Sequence, residues 1–237
     1  MTKTNHATQP QAVLFDLDGT LVDTAPDFFA VVNELRLADG LDALSYDQVR
    51  EVVSNGARAL INLSYGIDEG HPEYNAQRQR LLDLYLQNLA VDTRLFEGLE
   101  EMLIHFKQKQ VPVAIVTNKP RLYAVALLEQ LKMADGVLQD YTTSLVCPDD
   151  VTHRKPHPEA LLLACEQMAV EPTKCIYVGD HKRDIEAGLA AEMETLAVRF
   201  GYLSNPKEAD TWGAHKIFDS STELSKHLIS VTMGHSL

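Results

Sequence analysis

A disulfide scaffold is the first possibility that this sequence excludes. Cys147, Cys165 and Cys175 are its three cysteines, odd in number, widely spaced and without a CxxC pair. That pattern argues against a disulfide framework and against a zinc knuckle, and reads as reduced core thiols. Nowhere do eighteen apolar residues run together, so no spanning helix is expected. Positive charge is scarce: 21 Lys and Arg face 34 Asp and Glu, a formal net charge of −13. Such a surface repels a nucleic-acid backbone and an anionic membrane alike, which leaves a small molecule as the expected partner. The single tryptophan, Trp212, is expected to pack rather than stack on a ligand. The first eleven residues, MTKTNHATQPQ, carry no apolar stretch, so the expectation is a reduced, cytoplasmic protein. There is no internal repeat, low-complexity tract or long run of one charge.

What is present is an alternation. "AVLFDLD" (12–18), "VPVAIVTN" (111–118) and "KCIYVGD" (174–180) are apolar runs that end in polar residues, the pattern of strands buried on both faces. Weaker runs occur at 135–144, 195–200 and 215–219. Helical patterns lie between them at 120–133, 157–170 and 183–193. Strand, helix, strand repeated in this way implies an α/β fold with a Rossmann-like parallel sheet. From about Asp27 to Asp92 the alternation stops, and four helical stretches follow one another, with Gly40 and Gly66 as helix stops. The expected organisation is therefore a core domain from 1–23 and 93–237, with an inserted all-α domain over 24–92.

The chemistry gathers at the strand ends. In an extended chain Asp16 and Asp18 point to one side and Leu17 to the other. Two carboxylates about 4 Å apart repel by roughly 4 kcal/mol at an effective dielectric near 20, so something must offset them. A third acid, Asp180, ends another buried strand, with Asp184 four residues on. Carboxyl ends of parallel strands are where open α/β sheets bind ligands. Oxygen ligands without a nearby Cys or His favour a hard ion, Mg²⁺, with phosphate as a co-ligand. Thr117 and Asn118 close a third strand and offer a hydroxyl and backbone N–H donors. Lys155 sits in the Pro-punctuated loop "HRKPHP". Each motif alone has a bland reading, as a turn, an N-cap or a solvent-facing lysine. Their joint order is what carries weight.

FDLDGT (15–20), TN (117–118), KPHP (155–158) and GDxxxD (179–184), in that order, resemble the four motifs of the haloacid dehalogenase superfamily. The helical insert resembles that superfamily's C1 cap, and the resemblance runs from about Ala12 to about Leu228. It implies Asp16 as nucleophile, forming an aspartyl-phosphate, and Asp18 as general acid and base. Thr117 and the Asn118 backbone would hold the transferring phosphoryl group, and Lys155 would neutralise charge on it. Asp16, the Asp18 carbonyl and Asp180 would bind Mg²⁺, with Asp184 behind them. The residue before Lys155 is Arg154, where the family often has glycine. Asp18 speaks for a phosphatase or mutase, because family dehalogenases lack an acid there and the P-type ATPases carry threonine.

"VVSNGARAL", "RLFEG" and "VRFGY" are similar to capped phosphatases that act on N-acetylmuramic acid 6-phosphate or 2-phosphoglycolate, both of which carry a carboxylate. Arg58, following a glycine between two helical runs, is the expected substrate-carboxylate cation, with Arg36, Arg50, Arg78 and Arg80 as other choices. The leading expectation is a Mg²⁺-dependent phosphatase of a small phosphate monoester. A sugar phosphomutase of the same fold is the alternative. A phospho-accepting regulatory module is a further reading, but it needs neither the insert nor Asp18.

Overall fold

The computed structural model describes residues 9–233, so the leader before Gln9 lies outside the described residues. Along the chain run β1 (Ala12–Phe15), β2 (Val22–Asp23), α1 (Ala25–Ala38), α2 (Tyr46–Arg50), α3 (Gly56–Tyr65), α4 (Tyr74–Gln87) and β3 (Arg94–Leu95). Then follow α5 (Leu99–Lys109), β4 (Val113–Val116), α6 (Arg121–Gln130), β5 (Ser144–Val146) and α7 (Glu159–Met168). The last elements are β6 (Cys175–Gly179), α8 (Lys182–Ala190), β7 (Glu194–Val198), β8 (Lys216–Phe218) and α9 (Ser221–Thr232).

The unbroken apolar runs form strands because both of their faces are covered. In β1, Ala12 and Leu14 pack with residues of α7 and α8, while Val13 and Phe15 pack with residues of α5, α6 and α9. Six parallel strands result, in the order β5-β4-β1-β6-β7-β8. The order reverses at β1: the chain first builds outward through β4 and β5, then returns to β6 on the other flank. A crevice outside the carboxyl ends is the geometric result of such a reversal.

Between β2 and β3 every regular element is a helix. Ser45 and Gln48 cap α2 reciprocally, and Gly66 ends α3 in the left-handed region at φ 68°. The entry and exit of this helical unit are clamped together. β2 pairs antiparallel with β3, and the Asp27 carboxylate accepts from the Asp92 amide (2.7 Å) and the Thr93 hydroxyl (2.6 Å). The unit lies over the strand ends: Arg50 donates to the Phe200 and Gly201 carbonyls at 2.8 and 2.6 Å, and the Ser54 hydroxyl donates to Asp180 Oδ2 at 3.2 Å.

The weak strand expected at 135–144 is displaced. Leu138–Tyr141 form a 3-10 turn in which both end residues are buried, and the strand begins only at Ser144. Three residues per turn place Leu138 and Tyr141 on one side, so the core captures them as a turn rather than a strand. Helices α5 and α9 were not expected from sequence.

Candidate active site

Asp16 is the first residue beyond β1. Its amide donates to Val178 O (2.9 Å), which fixes the loop against β6. Gly19 in that loop has φ +85°, and a Cβ there would stand 2.3 Å from Asp180 Oδ2. Only glycine lets the two strand ends approach so closely. Past Gly179, Asp180 emerges from β6, and its Oδ2 accepts from the Tyr202 amide at 2.9 Å. His181 then caps α8 by accepting from the Arg183 amide, while Asp184 accepts from the His181 amide. A helix cap thus aims Asp184 back at the crevice, and His181 is occupied in capping.

Lys155 reaches this cluster from the loop after β5. Its Nζ lies 2.8 Å from Asp16 Oδ1 and 2.7 Å from Asp184 Oδ1, and donates to Val116 O (2.8 Å) and the Tyr177 hydroxyl (2.9 Å). The lysine is 2% exposed, in contrast to the solvent-facing residue that a loop position suggests. Burial works against its charge, but Asp16 and Asp184 outweigh that and raise its pKa.

The acids remain under stress. Burial first, against the pull of Lys155, pushes Asp16 up to about 6. Burial, then the charges of Asp16 and Asp184, push Asp180 up to about 7. One lysine does not neutralise three carboxylates, and Asp180 Oδ1 is buried without a hydrogen-bond partner. Asp16, Asp180 and Asp184 each offer an oxygen within 4.8 Å of the others. An orphaned buried carboxylate oxygen in an all-oxygen cluster fits a hard divalent cation.

Asp18 does not join that cluster. The strand ends at Phe15, so strict alternation does not extend to Asp18, whose Oδ1 accepts from the Thr24 hydroxyl (2.7 Å) and Lys119 Nζ (2.8 Å). Asp16 and Asp18 are therefore held by different lysines, Lys155 and Lys119. The Lys119 side chain is 7% exposed and lies over the rings of Phe28 and Tyr85, 5.1 and 4.7 Å from their centroids. Thr117 is buried with its hydroxyl accepting from the Lys119 amide (3.1 Å), and Asn118 Nδ2 donates to Lys155 O (3.2 Å).

Asp16, Asp18, Thr117, Asn118, Lys155, Asp180 and Asp184 thus meet at one crevice, and Arg58 does not. Its guanidinium forms a two-point ion pair with Asp68, 2.7 Å at each contact, on a side chain 60% exposed. The Arg58 guanidinium is thus paired with a neighbouring acid on the cap surface rather than with any of the crevice residues. Lys119 and Tyr202 are the residues that sequence reasoning missed. The Tyr202 hydroxyl accepts from the Thr24 and Ala25 amides (2.6 and 3.0 Å) and donates to Asp23 (2.8 Å), tying the start of α1 to the loop after β7. The signal for Lys119 was its place directly after TN; Tyr202 had none.

Residues 13–198 match the haloacid dehalogenase-like hydrolase family. The N-acetylmuramic acid 6-phosphate phosphatase of Pseudomonas aeruginosa is 42% identical over 214 residues, 90% of this chain and 92% of that protein. A phosphoglycolate phosphatase of Xanthomonas campestris pv. campestris is 37% identical over 219 residues, 91% and 95% of the two chains. The crystal structure of a predicted phosphoglycolate phosphatase from Haemophilus somnus superposes with a TM-score of 0.78 at 24% identity, over 93% of this chain and 98% of the other.

Proposed function

This chain belongs to the haloacid dehalogenase-like hydrolase family, and from that premise we propose that it is a phosphatase of a small, carboxylate-bearing phosphate monoester. N-acetylmuramic acid 6-phosphate is the first substrate we assign to it and 2-phosphoglycolate the second, following the order of likeness to the relatives that bear those names. The observation that carries the reading is the buried Asp16–Lys155–Asp184 chain beside the orphaned oxygen of Asp180.

Asp16 is the nucleophile. Lys155 holds its Oδ1, and an Asp16 oxygen attacks phosphorus as the bond to the leaving alcohol breaks, forming an aspartyl-phosphate. Asp18 donates its proton to the departing alcohol. It then accepts one from the water that attacks the same phosphorus, which releases inorganic phosphate and restores Asp16. Thr117 and the Asn118 amide hold the phosphoryl oxygens, and Lys155 limits repulsion between nucleophile and substrate. Asp16, Asp180 and the Asp18 carbonyl would hold Mg²⁺, with Asp184 behind them; when bound, the ion stabilises charge on the transferring oxygens. Residues 24–92 act as the cap that excludes water, with 23–27 and 92–98 as its hinges. Among the described residues no helix is long and apolar enough to cross a membrane. With three buried free thiols, we place the protein in a reducing cytoplasm.

Phosphate release from a panel of the two carboxylated esters, glucose 6-phosphate and β-glucose 1-phosphate tests this. The reading requires Mg²⁺-dependent release that EDTA stops reversibly, fastest with a carboxylated ester. Isomerised glucose phosphate without free phosphate would instead make the protein a mutase.

A further inference from the structure

Lys119 and Tyr85 hold an arrangement that the catalytic steps do not use. Tyr85, in α4, is 1% exposed; Lys119 lies close enough to its hydroxyl oxygen to interact as a donor, but the O–H itself finds no acceptor. Its ring stacks on Phe28 of α1 at 4.0 Å and 7°, so the hydroxyl cannot swing to solvent without breaking the stack. That hydroxyl lies within the fields of Lys119 and Asp18. Leaving a buried O–H unpaired is costly, and such groups in native proteins mark a place for a ligand or water.

We propose that Lys119 and Tyr85 together form the receptor for the substrate's carboxylate, which on binding takes Lys119 Nζ from Asp18 and accepts from the Tyr85 hydroxyl. The proposal deepens the phosphatase reading and rests on it. Four of the cap's five arginines are committed elsewhere. Arg36 donates to the Asp42 and Ser64 carbonyls, Arg50 to Phe200 and Gly201, and Arg58 and Arg80 pair with Asp68 and Asp39. Lys119 is buried between core and cap, and two aromatic faces of the cap hold its ammonium. Exchanging the Asp18 carboxylate for a substrate carboxylate keeps a buried cation paired throughout, so the exchange avoids the penalty of a bare buried charge. Burial, against the pull of the Lys119 charge, raises the Tyr85 hydroxyl to about 12, which keeps it a donor at neutral pH. The exchange also frees Asp18 Oδ1 from the ammonium, so that Asp18 takes up a proton from water and presents it to the leaving oxygen, whereas a substrate lacking the carboxylate leaves Asp18 ionised and tied to Lys119. Specificity and chemistry are thereby linked through one lysine.

The test compares N-acetylmuramic acid 6-phosphate with N-acetylglucosamine 6-phosphate, which lacks the 3-O-lactyl group that carries the carboxylate, in the full-length Mg²⁺-loaded enzyme. The wild type is expected to prefer the carboxylated ester in kcat/KM. Lys119→Met should reduce that ratio by roughly 100-fold, and Tyr85→Phe, which keeps the ring stack, by roughly tenfold. Lys119→Arg should retain most of it, and Arg78→Ala should leave the ratio where it was. A ratio unchanged in both Lys119→Met and Tyr85→Phe, with both substrates slowed alike, overturns the receptor. So does a ratio that collapses in Arg78→Ala alone. A wild type that releases phosphate from both esters equally defeats the receptor and leaves the phosphatase standing, whereas release from neither defeats both.

Discussion

The lysine pair at the strand ends and the arginine pair on the cap surface have nearly the same geometry and opposite meanings. Lys155 meets Asp16 at 2.8 Å, and Arg58 meets Asp68 at 2.7 Å. The first pair has side chains 1% and 6% exposed, the second 60% and 46%. Water screens the surface pair, so its contribution is small and no group near it is left wanting a partner. In the crevice burial raises two carboxyl pKa values and orphans an oxygen, which is the condition under which charged groups become reactive. Distance alone does not separate a working ion pair from an ornamental one; burial with incomplete compensation does.

The sharpest way to break that contrast is to remove each cation in turn. Lys155→Met leaves Asp16 and Asp184 buried without their partner, so thermal unfolding of the metal-free protein should drop by roughly 10 °C. A drop as small as that of a surface variant would show that the buried pair is not under stress. Acidity sharpens the contrast further. Asp16 and Asp180 are raised, to about 6 and about 7, chiefly by burial. A raised carboxyl contributes stability that is present below its ordinary value of 3.8 and is lost as pH rises through the folded value. The midpoint of the EDTA-treated protein should therefore fall by about 5 °C between about pH 5 and pH 8. Mg²⁺ should restore it at the upper pH and do little at the lower; equal stabilisation at both would contradict the shifts. The smallest effect belongs to the surface. Arg58→Ala should move the midpoint by less than about 2 °C and kcat/KM by less than about twofold, read by calorimetry and phosphate release.

The same two regions divide what sequence could reveal. The core strands were legible because burial on both faces writes an unbroken apolar run such as AVLF, and catalytic side chains sit where those runs stop. The first and third helices of the insert were legible by their stops, Gly40 and Gly66. Helix α5 is less legible even though Leu99, Met102, Leu103 and Phe106 lie at helical spacing and are all buried, because it follows directly on the boundary stretch "RLFEG". The side-chain partners were less accessible. Whether Arg58 or Lys119 faces the crevice depends on which acid lies ten residues or a hundred residues away, Asp68 for one and Asp18 for the other. Local pattern carries no record of such a choice. The unpaired hydroxyl of Tyr85 is likewise a property of the packed cap, since a tyrosine on a helix is ordinarily free to reach water.

The mechanism turns on Asp16 capturing phosphorus, and that bond can be trapped. Acid-quenching a single turnover within milliseconds, followed by peptide mass spectrometry, should place a phosphoryl group on Asp16 in the wild type and on no residue in Asp16→Asn, which should release no phosphate. Rapid phosphate release from Asp16→Asn, or a phosphoryl group on any other side chain, would contradict the account.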